Sequence, residues 1–144
     1  MAHIVRDLTY ISRCGGHYRN QALEPLGITG RQAGSLIAIC REPGISQEQL
    51  GKRVVLNKSY IARQLLALEE MGLVKREVAP NDRRVLRCYP TEKTQELLPQ
   101  IRQVYRDWRD LLLVDMTEQE QELLEQLLSK IKARAGQWME ENRL

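Results

Sequence analysis

The chain lacks any run of 18 apolar residues, so no segment reads as a membrane span. Its first residues, Met1-Ala2-His3-Ile4-Val5-Arg6-Asp7, lack the apolar core of a signal peptide, and a cytoplasmic location is the expectation. Cysteine is sparse and odd in number. Cys14, Cys40 and Cys88 are far apart and no CxxC spacing occurs. The two histidines, His3 and His17, lie far from Cys40 and Cys88. A structural zinc site is therefore not expected, and the three cysteines read as buried or half-buried free thiols. Neither a Ser-His-Asp set nor a metal cluster nor a glycine-rich phosphate loop is present, so no catalytic residue, metal or cofactor is expected and the chain reads as a non-enzyme. Internal repeats and low-complexity stretches are also missing.

What is present is a chain of 144 residues with 42% hydrophobic content, enough for one core and against wholesale disorder. The net charge is only +3, but it is unevenly spread. Residues 29–91 hold 11 Lys and Arg against 6 Asp and Glu, a balance of +5, while residues 92–144 hold 8 against 11, a balance of −3. A basic middle suits phosphate, and the acidic remainder suits a separate role.

Local patterns divide the chain into six helices and a hairpin. Residues 4 to about 23 read as a first helix carrying Ile4, Leu8 and Ile11. Gly15-Gly16 in its middle predicts either a kink or the close approach of another backbone. Thr29-x-x-Gln32 is a capping box that opens a second helix through Leu36, Ile37, Ile39 and Cys40. Ser46 and Gln49 form another box, with Ile45 and Leu50 as a hydrophobic staple, and open a short third helix. Asn57 caps a fourth helix with Ile61, Leu65 and Leu68 inward, ending at Gly72. Strands at about 74–78 and 85–89 flank the turn residues Pro80-Asn81-Asp82. A long helix from about Thr91 to Val114, with Pro99 as the candidate bend, precedes a last helix opened by the box Thr117-x-x-Glu120. The fold class is mainly α within α+β: a winged helix-turn-helix with N- and C-terminal helices forming a dimerisation region.

A short helix, a second helix with a polar outer face and an arginine-tipped ribbon suit duplex DNA. On the fourth helix, Lys58, Ser59, Tyr60, Ala62, Arg63 and Gln64 are expected on or near the free face, where arginine reads guanine and glutamine reads adenine. Ser46 and Gln47 at the head of the third helix, and Arg31 near the start of the second, are expected at phosphates. Arg83, Arg84 and Arg87 on the hairpin are expected at the backbone or a narrow minor groove. Asp82 is acidic where acids should be repelled, so its expected role is to hold Arg84 or the loop in one geometry. The apolar stripe Leu123, Leu124, Leu127, Leu128, Ile131 is buried either by pairing two copies of the chain or by an intramolecular helical hairpin. Pairing matches the two-fold symmetry of a palindromic site.

In Leu26-Gly27-Ile28-Thr29, Ser46-x-x-x-Leu50, Asn57-Lys58-Ser59, Leu68-Glu69-x-x-Gly72-Leu73-Val74, Asp82-Arg83-Arg84 and Pro90-Thr91-Glu92-Lys93, the chain resembles the MarR family of winged helix-turn-helix regulators. The resemblance covers nearly the whole chain and is most specific over 45–93. Pro90 stands where leucine is commoner and Asn57 where aspartate is commoner. The resemblance implies a single domain over 1–144, with a DNA-binding part at 29–91 and a helical dimerisation part at 1–28 and 92–144. It implies a homodimer on a pseudo-palindromic operator, most often a repressor, and importance of Asp82 and Arg84 for DNA. It also implies release by a small aromatic or anionic effector, for which Tyr10, Arg13, Cys14, His17, Tyr105, Trp108 and Arg109 are the candidate residues. A thiol-based redox sensor is an alternative. However, the reactive cysteine of the family's peroxide-sensing branch aligns nearer Val5 than Cys14, and its partner tyrosine is replaced by Gly30. A protein-binding winged helix without DNA is another alternative, separable by the salt dependence of duplex binding.

Overall fold

The computed structural model describes residues 3–142; Met1, Ala2, Arg143 and Leu144 of the sequence ranges above lie outside the described residues. The chain forms two compact units, Met1–Trp108 and Arg109–Leu144. The first contains α1 (Ile4–Leu23), a 3-10 turn (Glu24–Leu26), α2 (Gly30–Arg41), β1 (Ile45–Ser46), α3 (Gln47–Val54), α4 (Lys58–Glu70), β2 (Val74–Ala79), β3 (Asp82–Pro90) and most of α5 (Glu92–Leu113). The second contains the end of α5 and α6 (Glu118–Glu141).

Caps set most of these boundaries. Thr29 and Gln32 close a reciprocal box at the head of α2, with N–H to oxygen distances of 3.2 and 3.0 Å. Thr117 and Glu120 do the same for α6. Asn57 accepts from the Tyr60 N–H at 2.8 Å, satisfying one free donor of α4. At α3 only half of the expected box forms: Ser46 accepts from the Gln49 N–H, and Gln49 does not reach back. The staple residues Ile45 and Leu50 are both buried.

The sheet has three antiparallel strands in the order β1-β3-β2, one more than the hairpin expected. Ile45 and Ser46 pair with Cys88 and Arg87, so the residues leading into α3 are also an edge of the wing. Two residues are too short a run to show an alternating pattern, which is why β1 is invisible to periodicity. In the hairpin, Val74 lies opposite Pro90 and Val78 opposite Leu86, with an irregularity between Val78 and Ala79 near the tip. Pro90 ends its strand, where its missing N–H is tolerated.

One core joins the elements of the first unit: Leu23, Ile28, Ala33, Leu36, Ile39, Ile45, Leu50, Ile61, Leu65, Leu68, Leu73, Val74, Cys88 and Ile101 are all buried. The start of α5 is tied to the end of α4. Thr91 Oγ1 donates to the Gly72 carbonyl at 2.7 Å, Thr94 Oγ1 to that of Leu73 at 2.5 Å, and Lys93 Nζ to that of Met71 at 2.9 Å. Carbonyls that a helix end leaves without partners are satisfied by side chains nearly twenty residues or more away.

Helix α1 runs unbroken through Gly15-Gly16. The close neighbours are not backbone but two side chains: a Cβ on Gly15 would lie 2.9 Å from Arg19 Nη1 and 3.0 Å from Trp108 Nε1. Gly16 has nothing within 4 Å. Gly30 serves a similar end, because a Cβ there would meet Arg19 Cβ at 3.1 Å. Its N–H instead donates to Asn20 Oδ1 at 2.7 Å, which clamps α2 to α1.

Candidate nucleic-acid interface

Helix α4 buries Ile61, Leu65 and Leu68 and leaves Lys58, Ser59 and Arg63 exposed, with Tyr60 and Ala62 half-buried. The spacing of four and three residues places the inward side chains on one stripe, and the polar positions fall opposite it. Gln64 is a correction. It is 7% exposed, and its Oε1 accepts from Ser35 Oγ of α2 at 2.5 Å. It follows Arg63 in sequence, but one helical step of about 100° carries it to the edge of the buried stripe. Its Nε2 is buried with no hydrogen-bond partner among the described residues.

Arg31 extends from α2 over the Tyr60 ring, with its guanidinium carbon 5.3 Å from the ring centre. This cation–π contact brings a charge from α2 beside the head of α4. Ser46 and Gln47, at the start of α3, are half-buried. Lys58, Arg63 and Arg83 have no acidic partner within 4 Å among the described residues.

On the wing, Arg83, Arg84 and Arg87 are exposed. The Asp82 carboxylate accepts from the Arg84 Nε at 3.2 Å, from its Nη2 at 3.4 Å and from its backbone N–H at 3.0 Å. The side-chain bond first and the backbone bond second hold the Asp82 carboxyl below its usual 3.8. Arg87 Nη1 donates to the Gly44 carbonyl at 3.0 Å, fastening the wing to the turn before β1.

Sequence reasoning assigned no role to Arg76 or to Glu69, which entered only as part of a motif. Arg76 of β2 donates from Nε to Glu69 Oε1 of α4 at 2.7 Å and from Nη1 to Gln47 Oε1 of α3 at 2.9 Å. The signal was in the strand alternation: Arg76 shares the parity of the buried Val74, and a cation on that side requires an acceptor.

The candidate effector residues divide. Tyr10, Arg13 and His17 are exposed along α1, and Cys14 is half-buried. Trp108 stacks on Tyr18, with ring centres 5.0 Å apart. Arg19 lies over Tyr105 at 5.5 Å, and burial raises the Tyr105 hydroxyl pKa against the opposing charge of Arg19. Arg109 belongs to the second unit, where its guanidinium is engaged by Asp110 at 2.7 to 2.8 Å. All three cysteines are free. Burial raises the Cys40 thiol, partly offset by Arg102, and pushes Cys88 up to about 11. Burial thus disfavours the reactive thiolate at both positions.

No group of three or more metal-ligating side chains occurs among the described residues, and no described helix is long and apolar enough to cross a membrane.

A capped helix pair with a basic outer face, flanked by a three-stranded wing, defines a winged helix-turn-helix protein. The model of the MarR family matches residues 26–85. A solved structure of MarR is 33% identical, aligns over 96% of this chain and 95% of its own, and superposes with a TM-score of 0.88. The HTH-type transcriptional regulator YybA of Bacillus subtilis (strain 168) is 26% identical over 132 residues, which are 92% of this chain and 88% of YybA. A MarR family transcriptional regulator from Listeria monocytogenes, solved with a 26mer DNA, is 28% identical over 93% of this chain and 89% of its own, with a TM-score of 0.88. The chain belongs to the MarR family of transcriptional regulators. Membership of a family of regulators also answers the question of catalysis: the chain is not an enzyme.

Proposed function

We propose that this chain is a homodimeric, sequence-specific duplex-DNA-binding regulator that represses transcription and is released by a small aromatic or anionic effector. The observation that carries DNA binding is the exposed face of α4, where Lys58, Ser59 and Arg63 stand free beside a wing bearing Arg83, Arg84 and Arg87. Cations without acidic partners are the groups that gain most from phosphate, and Arg63 has the donor fork that reads guanine. Arg31, Ser46, Gln47 and Tyr60 complete the contact set, and Asp82 orients Arg84. Gln64, turned inward, is left out. The relative from Listeria monocytogenes solved with DNA supports the same reading.

Dimerisation is supported by apolar surface that each unit leaves uncovered. On α1, Ile4, Val5, Tyr10 and Ile11 are exposed. On α6, Leu123, Leu127, Leu128 and Ile131 are 41–55% exposed. A second copy of the chain offers the same stripes and the two-fold symmetry of a palindromic site, with half-sites about 34 Å apart. The helical parts at 1–28 and 92–144 are assigned to pairing and the part at 29–91 to DNA. Effector release is a population shift, in which a ligand acts only through its different affinity for the two states. The aromatic and cationic packing of Tyr18, Arg19, Tyr105 and Trp108 is the surface assigned to it.

Duplex fragments selected from genomic DNA by the purified protein test the reading. Affinity should fall by roughly 10³–10⁵ between 50 and 200 mM salt if six to ten phosphates are contacted. Arg63→Ala should cost about 1–3 kcal/mol and relax preference at one base pair, while Arg84→Ala should weaken all sequences alike and lower the salt slope by about one. A monomer that ignores duplex at low salt, or binding indifferent to salt and to both substitutions, refutes it.

A further inference from the structure

Resting on the DNA-binding reading, we propose that Glu69 and Arg76 are positioning residues that turn the amide of Gln47 so that its NH2 group, not its oxygen, is left to meet a phosphate. Arg76 sits on β2, Glu69 near the end of α4 and Gln47 at the start of α3, so one guanidinium links the wing to both helices. The Arg76 side chain is 17% exposed and that of Glu69 31%, well shielded for a charged pair. Glu69 Oε1 takes both Arg76 Nε at 2.7 Å and Nη2 at 2.5 Å. This fixes the plane of the guanidinium and directs Nη1 at Gln47, 2.9 Å from its Oε1.

The chemistry of the partners decides the orientation of the amide. Arginine has only donors, so the end of Gln47 facing Arg76 is its oxygen. The NH2 end remains, and donors are what a phosphate requires. Without Glu69 the guanidinium loses its anchor and the amide is free to turn its oxygen outward, where a phosphate offers it only acceptors.

The proposal reverses the sign expected from charge alone. Removing a negative charge from a DNA-binding unit should tighten binding by simple Coulomb attraction. Positioning demands that Glu69→Gln weaken it. Gln47→Glu is the companion variant: it keeps an oxygen for Arg76 and replaces the outward donor with an acceptor.

The test uses full-length protein and a duplex that the wild-type chain has selected, with affinity measured by fluorescence anisotropy at several salt concentrations. Both single variants should bind about tenfold more weakly. Glu69→Gln should also lower the thermal melt, because it leaves the shielded Arg76 without its carboxylate, so the deciding readout is coupling: the double variant should bind no more weakly than Gln47→Glu alone. A role confined to stability would leave the effect of Glu69→Gln on binding additive with that of Gln47→Glu. Tighter binding by Glu69→Gln would mean that Arg76, once freed, is itself the phosphate contact. Either result overturns the proposal. If wild type selects no duplex, the DNA-binding reading fails, and this inference fails with it.

Discussion

Replacing Ser35 by Ala and Gln64 by Met together should stabilise the protein, although the change deletes a buried hydrogen bond. Ser35 is fully buried and Gln64 is 7% exposed, so neither gains from water. The bond between them, Ser35 Oγ to Gln64 Oε1, contributes about 1 kcal/mol net. Against it stands Gln64 Nε2, buried without a partner among the described residues, a loss of about 1–3 kcal/mol. Ser35→Ala alone leaves the amide oxygen stranded as well and should destabilise by about 1–3 kcal/mol. Gln64→Met alone should be neutral or mildly stabilising, because a helical serine can return its hydroxyl to the carbonyl four residues back. The double variant removes both stranded groups in nearly the same volume, and a gain of about 1–2 kcal/mol is expected. For a chain of this length each kcal/mol moves the melting temperature by about 3–4 °C. Urea unfolding of all four proteins at one fixed concentration measures the cycle, since pairing of copies would make stability concentration-dependent. Duplex affinity of Gln64→Met should match wild type, because the amide points into the core. A double variant less stable than wild type by more than about 1 kcal/mol would refute the reasoning, as would loss of duplex binding by Gln64→Met.

Three further outcomes are expected. Gly16→Ala should add about 1 kcal/mol from helix propensity, whereas Gly15→Ala should lose stability and shift tryptophan fluorescence, because its new methyl meets the Trp108 indole; equal melts for the two would contradict the packing described. Val55 holds φ +56° between α3 and α4, a left-handed conformation costly for a branched side chain, so Val55→Asn should raise stability by about 1 kcal/mol in the same urea assay; a drop would show that the valine side chain is needed there. Burial raises the Cys88 pKa from 9.0 to about 11, so its contribution to stability is whole below pH 9 and is lost as pH climbs toward 11; iodoacetamide labelling followed by mass spectrometry should reach Cys14 and Cys40 well before Cys88, and equal rates in the native protein would exclude the burial described.

Sequence alone determined the elements whose causes are local. Capping residues three positions apart, a stripe of Ile61, Leu65 and Leu68, and turn chemistry at Pro80-Asn81-Asp82 all act within one or two helical turns, so they can be read along the chain. The basic faces of α4 and the wing were legible for the same reason. Only the tertiary structure decided what depends on contacts between distant segments. Gln64 lies inward because Ser35, 29 residues earlier, comes within hydrogen-bond distance of it. The strand of Ile45 and Ser46 exists because Cys88 and Arg87 pair with it. A side chain at residue 15 would crowd an indole 93 positions later in the sequence, and Arg76 finds its partners on two helices. A periodic pattern records which face of a helix is apolar, but a polar residue at the edge of that face is claimed by whichever neighbour packing brings to it, and that neighbour is set by the fold as a whole.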